Sequence, residues 1–206
     1  MTDIGPLCAC YDEPMVPLDV DKLAPLGVRP LRRAEYDRLV AAGAFADERV
    51  ELVRGRLVRM SPQGPLHFWT VQRLLKALYQ PLIDRALVIS QSPLALLDDE
   101  PEPDVAVVPL SSGMNESELP DFACLVIEVS DSSLAYDTEV KARLYAEAGI
   151  PEFWLVDVRA RRVRVHRGPS ADGYRTVDEA GPGARLSVPG FADVQVEVDS
   201  VLPREA

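Results

Sequence analysis

Leu125-Val126-Ile127-Glu128-Val129-Ser130 is a run of strand-forming apolar residues interrupted by one carboxylate. Side chains alternate faces along a strand, so Cys124, Val126 and Glu128 share one side and Leu125, Ile127 and Val129 the other. Both faces are apolar, the pattern of a central strand covered on both sides. A second run, Pro103-Asp104-Val105-Ala106-Val107-Val108, repeats this logic, with Ala106 and Val108 on the acidic face. A carboxylate in such a strand lacks water and is costly unless a partner or a metal compensates it. Glu128 also lies near the end of its strand, where ligand crevices of α/β sheets open. Either carboxylate alone reads better as a loop cap or an arginine partner than as a metal ligand. Two together are hard oxygen donors suited to Mg²⁺ or Mn²⁺.

Lys141 follows on a helical stretch, with Asp137 one turn before it. The two share a helical face and form either a solvated ion pair or a face turned towards the strand ends. In the second arrangement the lysine orients a metal-bound water and stabilises charge developing on a phosphate.

Outward from these strands, the chain reads as alternating short elements. A helix is predicted over Leu31–Ala42 with Gly43 as its C-terminal cap, then a hairpin over Val50–Met60 turning near Arg54-Gly55. The spacing of Phe68, Val71, Leu74, Leu75, Leu78 and Leu82 predicts an amphipathic helix from about Pro65 to Asp84, broken early by Pro81. Strands are expected at Ala86–Ser90, Leu94–Leu97, Val105–Val108 and Ala123–Val129, and a helix over residues 137–148 ending at Gly149. Phe153–Val158 and Arg162–His166 form a further strand pair, with short strands around Tyr174, Leu186 and Val194–Val198. Helices therefore flank a central sheet of mixed direction, an α/β or α+β domain.

The 206 residues suit one domain over residues 31–206, preceded by a proline-rich arm at 1–30 (Pro6, Pro14, Pro17, Pro25, Pro30). The opening residues lack a basic stretch followed by an apolar one, so no secretory signal is expected, and no apolar run approaches the roughly 20 residues that span a bilayer. The expected address is the cytoplasm. Cys124 reads as a small buried hydrophobe, and Cys8 and Cys10 have no downstream His/Cys pair to complete a zinc site. A net charge of −11 argues against a protein that coats itself in nucleic acid. Positive charge gathers in Arg159–Arg167, which reads either as a charged edge strand or as a phosphate contact. Tyr145, Phe153 and Trp154 read as core, and Glu152 as a local cap or ion-pair partner.

Three segments, Leu125–Ser130, Asp137 through Lys141 to Tyr145, and Gly149–Asp157, resemble the Uma2 family, restriction-endonuclease-like proteins common in bacteria. Glu51–Pro62, His67 and Pro103-Asp104 match the same pattern in the same order, so the resemblance runs from about residue 31 to the C-terminus. It implies a PD-(D/E)XK nuclease fold: a mixed central sheet flanked by helices, with a metal at one end. In that pattern Asp104 and Glu128 are the metal-binding carboxylates, and Glu51, the acidic residue from the N-terminal part, assists at the metal directly or through water. Ser130 stands where the basic signature has lysine, so Lys141 becomes a migrated lysine reaching back from the helix. His67, otherwise a solvated residue or a partner of a loop carbonyl, acquires a place at the site's edge, and Asp137 a supporting one.

The function expected is Mg²⁺- or Mn²⁺-dependent hydrolysis of DNA phosphodiester bonds, with Lys141, Glu128, Asp104 and Glu51 as the catalytic set. A homodimer suits double-strand cleavage. Two rivals remain: a nuclease-like fold acting as a non-catalytic binding module, and a metal-dependent hydrolase of small phosphoesters. The acidic balance and the serine at position 130 favour the first rival.

Overall fold

The computed structural model describes Gly27, residues 29–113 and residues 115–203. Cys8 and Cys10 lie outside the described residues, as does all of the expected arm except Gly27, Arg29 and Pro30. Residues Leu31–Ala206 make one unit by themselves. It opens with helix α1 (Arg33–Ala41) and a hairpin of β1 (Val50–Val53) and β2 (Arg56–Arg59). Arg54 and Gly55 form the turn with φ of 54° and 68°, the paired left-handed conformation that two-residue hairpins need. Helix α2 (Pro65–Leu82) leads into β3 (Ala86–Ile89), β4 (Val105–Pro109) and β5 (Leu125–Ser130).

One helix in three parts then crosses over to β6 (Glu152–Asp157): α3 (Leu134–Tyr136), a π-helical turn (Asp137–Lys141) and α4 (Ala142–Glu147). It begins earlier than residue 137 and ends as expected at Gly149, whose φ of 77° suits a residue without a Cβ. Strands β7 (Arg162–Ser170) and β8 (Gly173–Ala180) follow, then a second hairpin, β9 (Arg185–Val188) and β10 (Phe191–Glu197), and a final turn, α5 (Val198–Val201).

Strands β3 to β8 form one six-stranded sheet in sequence order. All neighbours are antiparallel except β5 and β6, whose parallel pairing requires the helical crossover. On one face Leu74, Leu78 and Leu82 of α2 pack on Ile127, Trp154 and Val165, joined by the β9–β10 hairpin and α5. On the other, Leu144 and Tyr145 of α4 pack with Leu94 and Leu96 on Val126, Phe153 and Leu155. The mixed sheet between helices is the expected architecture.

Several expectations change. Helix α2 runs through Pro81 to Leu82 rather than breaking early. Leu78 and Leu82 are fully buried, each contributing about 1.5–3 kcal/mol, enough to offset the roughly 3 kcal/mol that an interior proline costs. Leu94–Leu97 is not a strand. Leu96 bridges Asp99 across a tight turn, and Leu94 and Leu96 are buried as loop residues. Cys124 precedes β5 and packs in the cluster of Leu125 and Ile127, not on the Glu128 face, because the alternation starts only where the ladder does.

The arginine-rich strand is not an edge. β7 lies between β6 and β8, and its cations are paired across the sheet: Arg162 with Glu179 at 2.7 Å, and Arg167 with Glu152 at 2.8 Å and Asp178 at 2.9 Å. Arg164 also reaches Glu179, at 3.4 Å. That pairing spends on carboxylates the charge a phosphate contact would need.

Candidate active site

The register of the sheet brings the acidic residues together. Val105 pairs with Ile127 in the antiparallel β4–β5 ladder, so Asp104, just before β4, stands opposite Glu128, just inside the end of β5. The Asp104 N–H donates to Glu128 Oε2 at 3.3 Å, and the Val129 N–H donates to Asp104 Oδ2 at 2.8 Å. The sequence therefore places two buried carboxylates on adjacent strands at one end of the sheet.

Glu51 arrives from β1. That strand is buried along its length and is tied to the loop before β4 by the Leu52–Glu100 bridge. The Glu102 N–H donates to Glu51 Oε2 at 3.1 Å. Lys141 comes from the π turn, a helix form frequent at functional sites, and is 3 % exposed. Its Nζ lies 2.6 Å from Glu51 Oε2 and 3.2 Å from Glu128 Oε1. The helix thus turns the lysine inward.

The two supporting residues take different places. His67 Nε2 lies 2.9 Å from Asp104 Oδ2, so the start of α2 is fastened to the site. Asp137 is also buried, but it accepts a hydrogen bond from Ser133 Oγ at 2.5 Å and is no surface partner of Lys141. Ser130 Oγ lies 3.4 Å from Ser133 Oγ, so hydroxyls occupy the position where the basic signature has lysine.

Two tyrosines extend the site beyond the sequence reading. Tyr145 is core, as expected, yet its hydroxyl donates to Glu128 Oε1 at 2.6 Å. Tyr136 donates to Glu51 Oε1 at 3.5 Å. A tyrosine one helical turn beyond Lys141 was the available signal, since a buried phenol needs a partner.

The electrostatics follow from one cation among four carboxylates. Burial pushes Glu128 up to about 8; the Lys141 charge opposes this, while Asp104 and Asp137 add to it. Asp137 is raised, again mainly by burial. For Lys141, burial acts to lower the pKa, but the charges of Glu128 and Glu51 outweigh it and hold the amine above its ordinary value. Lys141 therefore remains an ammonium, while Glu128 and Asp137 hold their protons more tightly than ordinary carboxylates.

Carboxylate oxygens are the donors that a hard divalent cation takes. Among the described residues no group of three or more His, Cys, Asp or Glu is arranged to hold a metal. Mg²⁺ needs less, since it keeps several waters and uses one or two carboxylates. Asp104 and Glu128 provide two hard oxygen donors at adjacent strand ends, and Lys141 reaches both Glu51 and Glu128.

Comparison with known proteins agrees with the fold. A crystal structure described as "a putative nuclease belonging to DUF820 from Anabaena variabilis ATCC 29413" superposes with a TM-score of 0.69 at 18% identity, covering 84% of this chain and 97% of that one. At that identity the likeness concerns the fold. No curated protein matches the chain. The model of the Uma2 family, described as "Putative restriction endonuclease", matches residues 33–199, which contain Glu51, His67, Asp104, Glu128, Asp137 and Lys141. The chain belongs to the Uma2 family, within the PD-(D/E)XK nuclease-like group.

Proposed function

We propose that this chain is a Mg²⁺- or Mn²⁺-dependent endonuclease hydrolysing DNA phosphodiester bonds. Asp104 and Glu128 hold the metal, and Glu51 supports the site through Lys141. When bound, the metal supplies Lewis-acid activation of water and of the scissile phosphate. The chain's own residues do the rest. His67 fixes Asp104, and Tyr145 fixes Glu128. Lys141 keeps its proton, so it acts as a donor that orients water and faces the charge developing on phosphorus, not as a base.

The observation that carries this reading is the approach of Lys141 to Glu128, 3.2 Å, from a separate helix. Residues 31–206 form the nuclease domain in this proposal. A two-fold dimer with one site per chain suits cutting of both strands, and light scattering measures it directly. The test of activity is cleavage of DNA under Mg²⁺ by the parent, Glu128→Ala and Lys141→Ala. Loss in both variants with the fold retained supports the assignment; cleavage equal to the parent removes it.

A non-catalytic binding module is the second reading, favoured by the short Glu51–Lys141 contact of 2.6 Å, which ties up the lysine. A parent that neither binds millimolar Mg²⁺ nor cuts single- or double-stranded DNA supports that alternative.

A further inference from the structure

We propose that the pocket lined by Arg49, Met60, Ser61, Pro62, Gln63 and Gln91 is a subsite for one nucleobase of the substrate strand, read by the two glutamine amides. This rests on the nuclease reading and deepens it by naming the part of the substrate that is recognised.

Arg49, Met60, Gln63 and Gln91 lie on segments that lead into the candidate site. Arg49 and Met60 face each other at the open end of the β1–β2 hairpin, where the Met60 N–H donates to the Arg49 carbonyl at 3.0 Å; Glu51 follows on the same strand. Gln63 adjoins Gly64, the residue that precedes α2, and the first turn of α2 carries His67 to Asp104. The Gln91 N–H donates to the Pro103 carbonyl at 3.0 Å, immediately before Asp104. Ser90 Oγ donates to the Asp104 carbonyl at 2.8 Å.

The volume, about 360 Å³, lies near the lower end of the roughly 300–1,000 Å³ of small-molecule sites. It suits one nucleotide and excludes a duplex. Gln91 has a φ of 49°, a left-handed conformation that glycine adopts without strain and that strained functional positions share. Among the described residues, neither the Gln63 nor the Gln91 side-chain amide has a hydrogen-bond partner. A free amide offers a donor and an acceptor together, a pair that the edge of an unpaired base can meet and a bare sugar-phosphate backbone cannot.

Fluorescence anisotropy tests this with labelled six-nucleotide strands of oligo-dA, oligo-dT and an abasic backbone, with Ca²⁺ replacing Mg²⁺. The parent is expected to bind oligo-dA at least tenfold tighter than the abasic strand. Gln63→Ala and Gln91→Gly (the latter also relieving backbone strain) are expected to remove that preference while binding the abasic strand as the parent does. Equal binding of all three strands by the parent, no binding at all, or full discrimination by both variants overturns the subsite. Cleavage under Mg²⁺ without base preference sinks the subsite and leaves the nuclease reading. Base-selective binding without cleavage supports the subsite and sinks the nuclease.

Discussion

Lys141 Nζ lies 2.6 Å from Glu51 Oε2, joining a helical turn after β5 to the first hairpin of the domain. Both side chains are buried, so the pair exists because each charge compensates the other. Breaking a buried pair by removing one partner typically costs about 3–5 kcal/mol. Lys141→Met and Glu51→Leu are each expected to lower unfolding free energy in urea, with Lys141→Met the more severe because three other carboxylates lose their cation. The Glu51→Leu/Lys141→Met double variant is expected to lose less than the sum. Strict additivity in that cycle contradicts the pairing.

Tyr145 donates to Glu128 at 2.6 Å inside the core. Tyr145→Phe leaves a buried acceptor short of one partner, a loss of about 1–3 kcal/mol. Thermal unfolding is expected to shift down with the secondary structure unchanged, and divalent-metal affinity to weaken as Glu128 loses its anchor. An unchanged Tm and metal titration contradict the role.

Divalent metal is expected to stabilise the folded chain through Asp104 and Glu128. Ligand at about 100 times its Kd adds about 2.7 kcal/mol, readable as a rise in Tm with Mg²⁺ or Mn²⁺ that requires no catalysis. Asp104→Asn is expected to abolish that rise. A rise of the same size in the variant places the metal elsewhere.

The pattern of adjacent acidic strands made Asp104 and Glu128 legible, because a carboxylate inside an apolar run has few physical explanations. The direction of Lys141 was not legible. Its spacing from Asp137 fits a surface pair equally well, and only the π turn, from which Lys141 reaches Glu51 on β1 and Glu128 on β5, decides that both face inward. Glu51 came from the family resemblance, since its own strand is short and its partners lie far along the chain. Tyr145 is core, as its sequence context predicts, but periodicity reports burial and says nothing of where a hydroxyl points. The same limit hid the position of β7: alternation of arginines describes a strand, while its neighbours are set by tertiary pairing. Pro81 illustrates the converse, a local breaking signal overruled by two buried leucines.

His166 gives the stability a pH dependence of defined sign. It is buried beside Phe153 and Tyr174, and among the described residues its Nε2 has no hydrogen-bond partner. Burial, reinforced by the Arg164 charge, pulls its pKa from 6.5 down to about 4. The unfolded chain binds this proton more readily than the folded one between those values, so the contribution is complete above 6.5 and is lost as pH falls towards 4. His166→Phe is expected to flatten the urea midpoint against pH in that window relative to the parent. Parallel profiles contradict the assignment.

The most direct measurement is single-turnover cleavage of a DNA fragment under Mg²⁺ by the parent and by Lys141→Ala, with circular dichroism confirming that the variant remains folded. Cleavage by the parent and its loss by at least a hundredfold in the variant is the expected result. Equal rates for a folded variant, or a parent that leaves DNA intact while binding Mg²⁺, would contradict a phosphodiesterase built on Asp104, Glu128 and Lys141.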